Sequence, residues 1–461
     1  MGLLESLNTS RKALSAASAG INVVSNNVAN VNTAGYSRRS LTTSSSDPVE
    51  QQGVYFGQGV DITGIVRAHD RYLGMRLIDA VGQQSRANTA EESLKLTESY
   101  FNETSTTGLV EVYGAFYDAM SQLTTDPSNL SLRSVAVNAA ESLSSKVAAT
   151  ADGLQTAIND SDSTFATKFA QVNTLLTQIA QLNAVIGKQG AQQGNTDLLD
   201  KRDQLIRDLA ALTGSTAQLA SDGQATVFIG GHAAVSGPTA RSMSLVQVAG
   251  ATPIVYLSAD GGNIDVTNDL GGELGGVLDA RAYTQSYLNR LDDFAFTFTT
   301  SQNAIHLAGF DGTGAAGGNM FVPPAALAGA ASTMAVDPNL AANSNLLALA
   351  GVAGAGAGDD TNLQAIQGFE STAAFTGGLT GLQFISSLTS DVGSDLAATS
   401  ADSENQDSQV QDFDAMRNSI SGVDSDEEAM KLIEFQSAYR AAAKMVSATD
   451  EMLRILTSMG S

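Results

Sequence analysis

Cysteine and tryptophan are absent from the 461 residues, and histidine occurs three times. Without cysteine there can be no disulfides, thiolate zinc sites or thiol nucleophiles. His69, His232 and His306 lie far apart with no ligand spacing, so metal centres and histidine-dependent triads are poorly supplied. Basic residues are scarce: 24 Lys and Arg against 48 Asp and Glu leave a net charge of −24. Such a surface repels phosphate backbones and argues against any nucleic-acid partner. Charged residues are 16% of the chain, against about 25% in ordinary soluble domains. Small and amide side chains take their place, a mixture common on surfaces that pack against further copies. The uncharged run from Gly312 to Val336 contains Pro323 and Pro324, so no membrane insertion is expected. No Sec-type signal opens the chain, because Arg11 and Lys12 follow Leu3, Leu4 and Leu7 with no apolar core behind them. Synthesis in the cytoplasm is expected, with a dedicated apparatus for any export. Leu182 occupies the place of the first glycine that a phosphate loop would need before Gly187-Lys188. No cofactor, metal site or catalytic residue is expected, and the chain reads as a non-enzyme.

What is present is concentrated at the two ends. Leu3, Leu7, Leu14, Ile21, Val24, Val28 and Val31 recur at alternating four- and three-residue steps, with Ser10 and Ala17 completing the seam. That period predicts a coiled-coil-like helix. Asn22, Ser25, Asn26, Asn27 and Asn30 fall between them and are expected on the opposite, polar face. At the other end Phe435, Ala442, Met445, Met452 and Leu456 follow the same steps, and Leu432, Tyr439, Val446 and Leu453 add an adjoining stripe. This apolar face is wide, as in a bundle helix. Gly422, Asp424, Asp426, Glu427 and Glu428 mark its start, with carboxylates at the positive end of the helix dipole. Each end is the simplest partner for the other. Residues 1–40 carry a charge of +3, whereas 391–428 carry eleven acids and a single base, Arg417. Because two such helices are marginal alone, they are expected to be mobile in the monomer and to order on assembly.

Between the ends, helical periodicity runs over 88–122, about 129–158, about 163–188, Asp197–Leu212, about Gly275–Ala308 and 382–420, with a break at Asp126-Pro127-Ser128-Asn129. Short strands are expected at 225–229, 244–248 and 253–257, with Asp260-Gly261-Gly262-Asn263 as a hairpin turn. The fold class is therefore mainly α with a β insertion: paired terminal helices, a long-helix bundle and an outer β-rich domain. The expected domains are 1–87 with 421–461 (terminal pair), 88–214 with 271–308 and 382–420 (bundle), 215–270 (β-rich) and 309–381 (Gly/Ala-rich, irregular or β).

One stretch is specific. Ser25-Asn26-Asn27-Val28-Ala29-Asn30-Val31-Asn32-Thr33-Ala34-Gly35-Tyr36-Ser37-Arg38 resembles the N-terminal motif of the bacterial flagellar axial proteins, the family of rod, hook and hook-associated proteins. Gly422 to Glu428, with Leu432, Phe435, Tyr439 and Ala441, is similar to the hook-associated members, as are Gly57-Gln58-Gly59-Val60, Val66-Arg67-Ala68-His69-Asp70 and Gly272 to Asp279. The resemblance implies a structural adaptor at the junction between hook and filament, on the bacterial flagellum outside the cell. It implies self copies in a helical ring, hook protein and a second junction protein as neighbours, a type III export apparatus and an export chaperone. The chain is short for such a protein, which implies a reduced or missing outer domain. The alternatives are hook protein or the second junction protein; an enzyme site in the variable middle is the reading from a different class, and no residue pattern supports it.

Overall fold

The computed structural model describes residues 2–51, 53–101, 107–189, 195–248, 250–355 and 358–459. Helix α1 (Leu3–Ala29) leads into strands β1 (Arg39–Ser45), β2 (Val49–Gln51), β3 (Val54–Phe56) and β4 (Val60–Arg67). Helices α2 (Arg71–Phe101), α3 (Leu109–Leu123), α4 (Leu130–Gln189) and α5 (Thr196–Thr213) follow. Then come β5 (Thr216–Leu219), β6 (Ala225–Ile229), β7 (His232–Ser236), β8 (Thr239–Ala240), β9 (Met243–Val246), β10 (Ile254–Ala259) and β11 (Gly262–Asp265). The last elements are α6 (Gly272–Ala308), α7 (Pro338–Ala342), α8 (Thr361–Gly368), α9 (Gly381–Ser421) and α10 (Ser425–Met459). The fold is mainly helical with a β-rich region, as the periodicities indicate. No helix among the described residues is long and apolar enough to cross a membrane.

The chain forms two compact units. One holds Ala87–Thr167 and Gly276–Glu404, and its core is aromatic. On α6, Leu291, Phe294, Ala295 and Phe298 share one face by their three- and four-residue spacing, and all are fully buried. Phe294 and Phe298 stack with ring centres 5.6 Å apart, and Tyr113, Phe116, Phe321, Phe375 and Phe384 close around them. The irregular stretch after α6 is shaped by buried polar side chains, which supply the hydrogen bonds that regular structure would otherwise provide. Asn303 Oδ1 accepts from the amides of Met320 and Phe321. Asp292 accepts from Gly329 and Ala331, and Arg133 donates to the Leu347 carbonyl. His306 Nε2 accepts from the Ala348 amide, so its Nδ1 carries the proton and donates to Gly318 O. Burial lowers the pKa of this ring and keeps it neutral. It is a structural histidine.

The other unit holds the chain up to Arg86, Lys168–Gly275 and the chain from Asn405 on. Here the β-rich region and both chain ends fall in a single unit, where the sequence reading divides them. β5-β6-β7-β8 and β11-β10-β9 form two antiparallel sheets, and the Asp260-Gly261 turn joins β10 to β11 as expected. Two amides of α4 bind the first residues of strands. Asn183 brackets Ala225 through both its N–H and C=O, and Asn173 does the same for Met243.

Two expectations need correction. The separate helices at 129–158 and 163–188 are a single sixty-residue helix, α4. The polar run around Asp160-Ser161-Asp162-Ser163 does not break it, because the Ser161 and Ser163 hydroxyls donate back to the carbonyls of Ala157 and Asn159. The helix expected over 88–122 starts earlier, at Arg71, and α3 begins separately at Leu109. The break at Asp126 to Asn129 is real, and Asn129 caps α4 by accepting from Ser131 and Leu132.

Candidate assembly site

The site forms where the two chain ends meet. Helices α1 and α10 pack along each other, as the matching stripes predict. The contact surface of α1 is built from small residues: Ala16, Ala17, Gly20, Val23 and Val24 are buried. Gly20 is there for clearance. A Cβ at this position would lie 2.5 Å from the Phe435 ring, inside any real carbon contact. Helix propensity favours alanine over glycine by about 1 kcal/mol, so Gly20→Ala would stabilise an unpacked α1. In this pairing it should instead cost roughly 1–3 kcal/mol through overpacking. A thermal melt of the purified variant decides the sign.

Of the predicted N-terminal seam, Val24 is buried, Leu3, Leu7, Leu14 and Ile21 are half-buried, and Val28 and Val31 are exposed. On α10, Ala442 is buried and Leu432, Phe435, Val446 and Leu453 are half-buried toward α1, while Tyr439, Met445, Met452 and Leu456 are exposed. Several exposed apolar side chains of α10 form a second face, and Ile433 and Ile455 are exposed as well. Met430, Met445, Met452, Leu456 and Met459 are each at least half exposed and share one side of the helix. At 100° per residue this side is centred roughly a third of a turn from the stripe that meets α1.

Asn27 overturns the expectation of a polar outer face. It is fully buried and makes four hydrogen bonds, which is all its amide can form. Nδ2 donates to Arg39 O (2.9 Å) and to Glu428 Oε2 (2.8 Å). Oδ1 accepts from Arg39 N (3.0 Å) and from the Tyr36 hydroxyl (2.8 Å). One side chain thus joins α1, β1, the loop between them and the first turn of α10. Heptad stepping placed Asn27 outside because it followed Ile21, Val24 and Val28, whereas the contact actually follows Gly20, Val24 and Asn27.

The rest of the motif supports this junction. Asn30 Nδ2 donates to Asn26 O and the Thr33 hydroxyl to Asn30 Oδ1, which closes the turn after α1. Gly35 takes a positive φ of 81°, which admits glycine readily. Burial pushes the Tyr36 hydroxyl up to about 12, although the Arg39 guanidinium draws it down, so it remains a donor. That guanidinium lies 4.7 Å from the centre of the Tyr36 ring. Arg38 pairs with Glu427 at 2.6 Å. Lys431 and then Arg38 hold the Glu427 carboxyl below its ordinary range. Asp424 Oδ1 accepts from the amides of Asp426 and Glu427 and so caps α10, Asp426 is exposed, and Gly422 closes α9 against Asn418 O.

An ionic network escaped the sequence reading. β1 and β4 pair antiparallel with Arg39 opposite Arg67. Both guanidinia point at α5, where Arg39 meets Asp197 and Asp200, and Arg67 meets Asp200 at 3.0 Å and Asp203 at 2.7 Å. Arg202 also binds Asp203. Burial pushes the Asp203 carboxyl up, but Arg202 and Arg67 outweigh it and leave it below its usual value. Asp197, Asp200 and Asp203 sit at three-residue steps on a predicted helix, a spacing that could have flagged an acidic face. Nothing in the sequence names the arginines that meet it.

Comparisons with known proteins find similarity to flagellar proteins. Residues 94–321 match the family described as the flagellar hook-associated protein FlgK helical domain. Residues 417–459 match the flagellar basal body rod FlgEFG protein C-terminal family, and residues 7–36 match the flagella basal body rod protein family. Flagellar hook-associated protein 1 of Salmonella typhimurium is 28% identical over 68% of this chain and 59% of its own length. The chain thus spans less than two thirds of that relative. The protein of the same name from Bacillus subtilis is 26% identical, with 98% of each chain covered. The structure of the flagellar hook junction protein FlgK from Burkholderia pseudomallei aligns with a TM-score of 0.66 at 15% identity, covering 75% of this chain and all of that one. At that identity the likeness speaks for the fold.

Proposed function

We propose that this chain is a flagellar axial protein of the hook-associated protein 1 family and a structural subunit of the hook–filament junction. In this reading it assembles as a ring of identical copies between hook protein and the second junction protein. It leaves the cell through the flagellar export apparatus, with a chaperone covering its C-terminal helix beforehand. Its role is mechanical and adaptive, with no chemistry of its own. The observation that carries the proposal is the second, methionine-rich face of α10. In one chain α1 covers only one side of α10, and burying the exposed part of each Met or Leu on the other side would add about 1–2 kcal/mol. Methionine suits such a surface because its flexible thioether adapts to neighbouring copies. Val28 of α1 and Val31 in the turn after it are exposed as well.

The test leaves the helix pair intact. Met445→Asp and Met452→Asp alter exposed side chains only, so the monomer should melt as the parent does. Each should abolish incorporation, since a carboxylate buried between copies without a partner costs several kcal/mol. A deletion strain carrying either variant should fail to swim and should release unpolymerised flagellin into the medium. Normal motility with both variants would refute the reading.

A further inference from the structure

A polar cavity of about 350 Å³ opens beside the motif loop, lined by residues 30–36, by Arg207 of α5, and by Asp414, Arg417 and Asn418 of α9. Its lining holds two guanidinium groups against one carboxylate, a local charge of +1 in a chain of net −24. Both arginines are under-used. Arg417 Nη2 donates to the Tyr36 carbonyl at 3.3 Å, and Arg207 Nη1 donates to Gln204 Oε1 at 3.0 Å. Arg207 Nε is buried with no hydrogen-bond partner. A guanidinium carries five donors, and on these two side chains Nε of Arg207 is the one that is both buried and unpartnered among the described residues, which leaves the others able to face the cavity. Burial lowers the pKa of Arg207, and the neighbouring Arg417 lowers it further, against the pull of Asp414, Asp203 and Asp208. Two cations facing one polar cavity with spare planar donors make a receptor for a carboxylate or another oxyanion.

We propose that this cavity receives an acidic side chain of a second copy of the chain, held between Arg207 and Arg417. The proposal rests on the junction reading above and names a contact within it. The occupant follows from charge. Copies that each carry −24 repel one another, and they associate closely only where local opposite charges offset that repulsion. Acids outnumber bases two to one in this sequence, so a neighbour presents carboxylates far more readily than any other ion. The Asn27 junction holds the loop in place, and Arg38 N donates to Ser421 O at 2.8 Å beside the cavity. The receptor is therefore formed before a neighbour arrives.

The test uses full-length protein in a deletion strain. Arg417→Gln should leave the monomer melting like the parent and lower incorporation into isolated flagella about tenfold, the loss of one good charge pair. Arg417→Lys keeps the charge and supplies an amine for zero-length carbodiimide coupling. With two differently tagged copies co-expressed, mass spectrometry should find position 417 joined to an Asp or Glu of the other copy in assembled flagella. If Arg417→Gln incorporates like the parent and position 417 couples only within its own chain, the proposal is overturned. If sulfate stabilises the free parent through this cavity while Arg417→Gln incorporates normally, the site takes a free oxyanion and the proposal is again overturned. A parent chain that never enters the flagellum would instead sink the junction reading itself.

Discussion

Asn27→Ala is expected to lower the stability of the unit that holds both chain ends by about 3–5 kcal/mol. Asn27 serves four partners at once, and a methyl group serves none. The Arg39 amide and carbonyl would lose their partner inside the protein. The Glu428 carboxylate, 1% exposed, would keep only Lys431 at 3.4 Å. The lost hydrogen bond to this buried carboxylate, which stays paired with Lys431, is the larger share of the loss. Glu428→Gln alone should cost far less, because its amide oxygen still accepts from Asn27. The two changes together should cost less than their sum, and a double-mutant cycle in urea measures that coupling. Additive losses would show that the cost of Asn27→Ala does not depend on the Glu428 charge.

Arg67→Met should produce a loss of about 2–4 kcal/mol, because it leaves the buried Asp200 and the half-buried Asp203 with fewer counter-charges. This network also makes the unit sensitive to acid in a defined direction. The Asp203 carboxyl is held below its ordinary value of 3.8 by Arg202 and Arg67 against the opposing effect of burial. A depressed carboxyl contributes stability that is fully present above its unfolded value and disappears as pH falls through its folded one. The urea midpoint should therefore fall steeply below about pH 4. In Arg67→Met that acid-side slope should flatten, since part of the depression is gone. An unchanged slope would place the acid sensitivity elsewhere.

How much of this could be seen in the sequence depends on the range of the interaction. Period alone located α1 and α10 and paired them, because apolar spacing is a local property. The motif from Ser25 to Arg38 carried the resemblance to the flagellar axial proteins and placed the loop. Period could not place Asn27, because stepping through Ile21 and Val28 ignores small residues such as Ala16 and Gly20 that make close contact. Strand β1 went unread because Thr42, Thr43, Ser44 and Ser45 lack apolar alternation, and β4 was left without a visible partner. Arg39 and Arg67 lie more than 130 residues from the aspartates they meet, beyond any short-range signal. The continuity of α4 was hidden by serines that look like a break yet bond back to their own helix.

The bond between Asn27 and Glu428 spans 401 positions, and that span acts as a clock. A ribosome adding about 5–20 residues per second needs roughly 20–80 s to get from one to the other. Throughout that interval the leading helix has no mate, and contacts so remote in the chain form late. The nascent head therefore stays a loose thread until translation is nearly done, which leaves time for a handler to take hold before the knot is drawn.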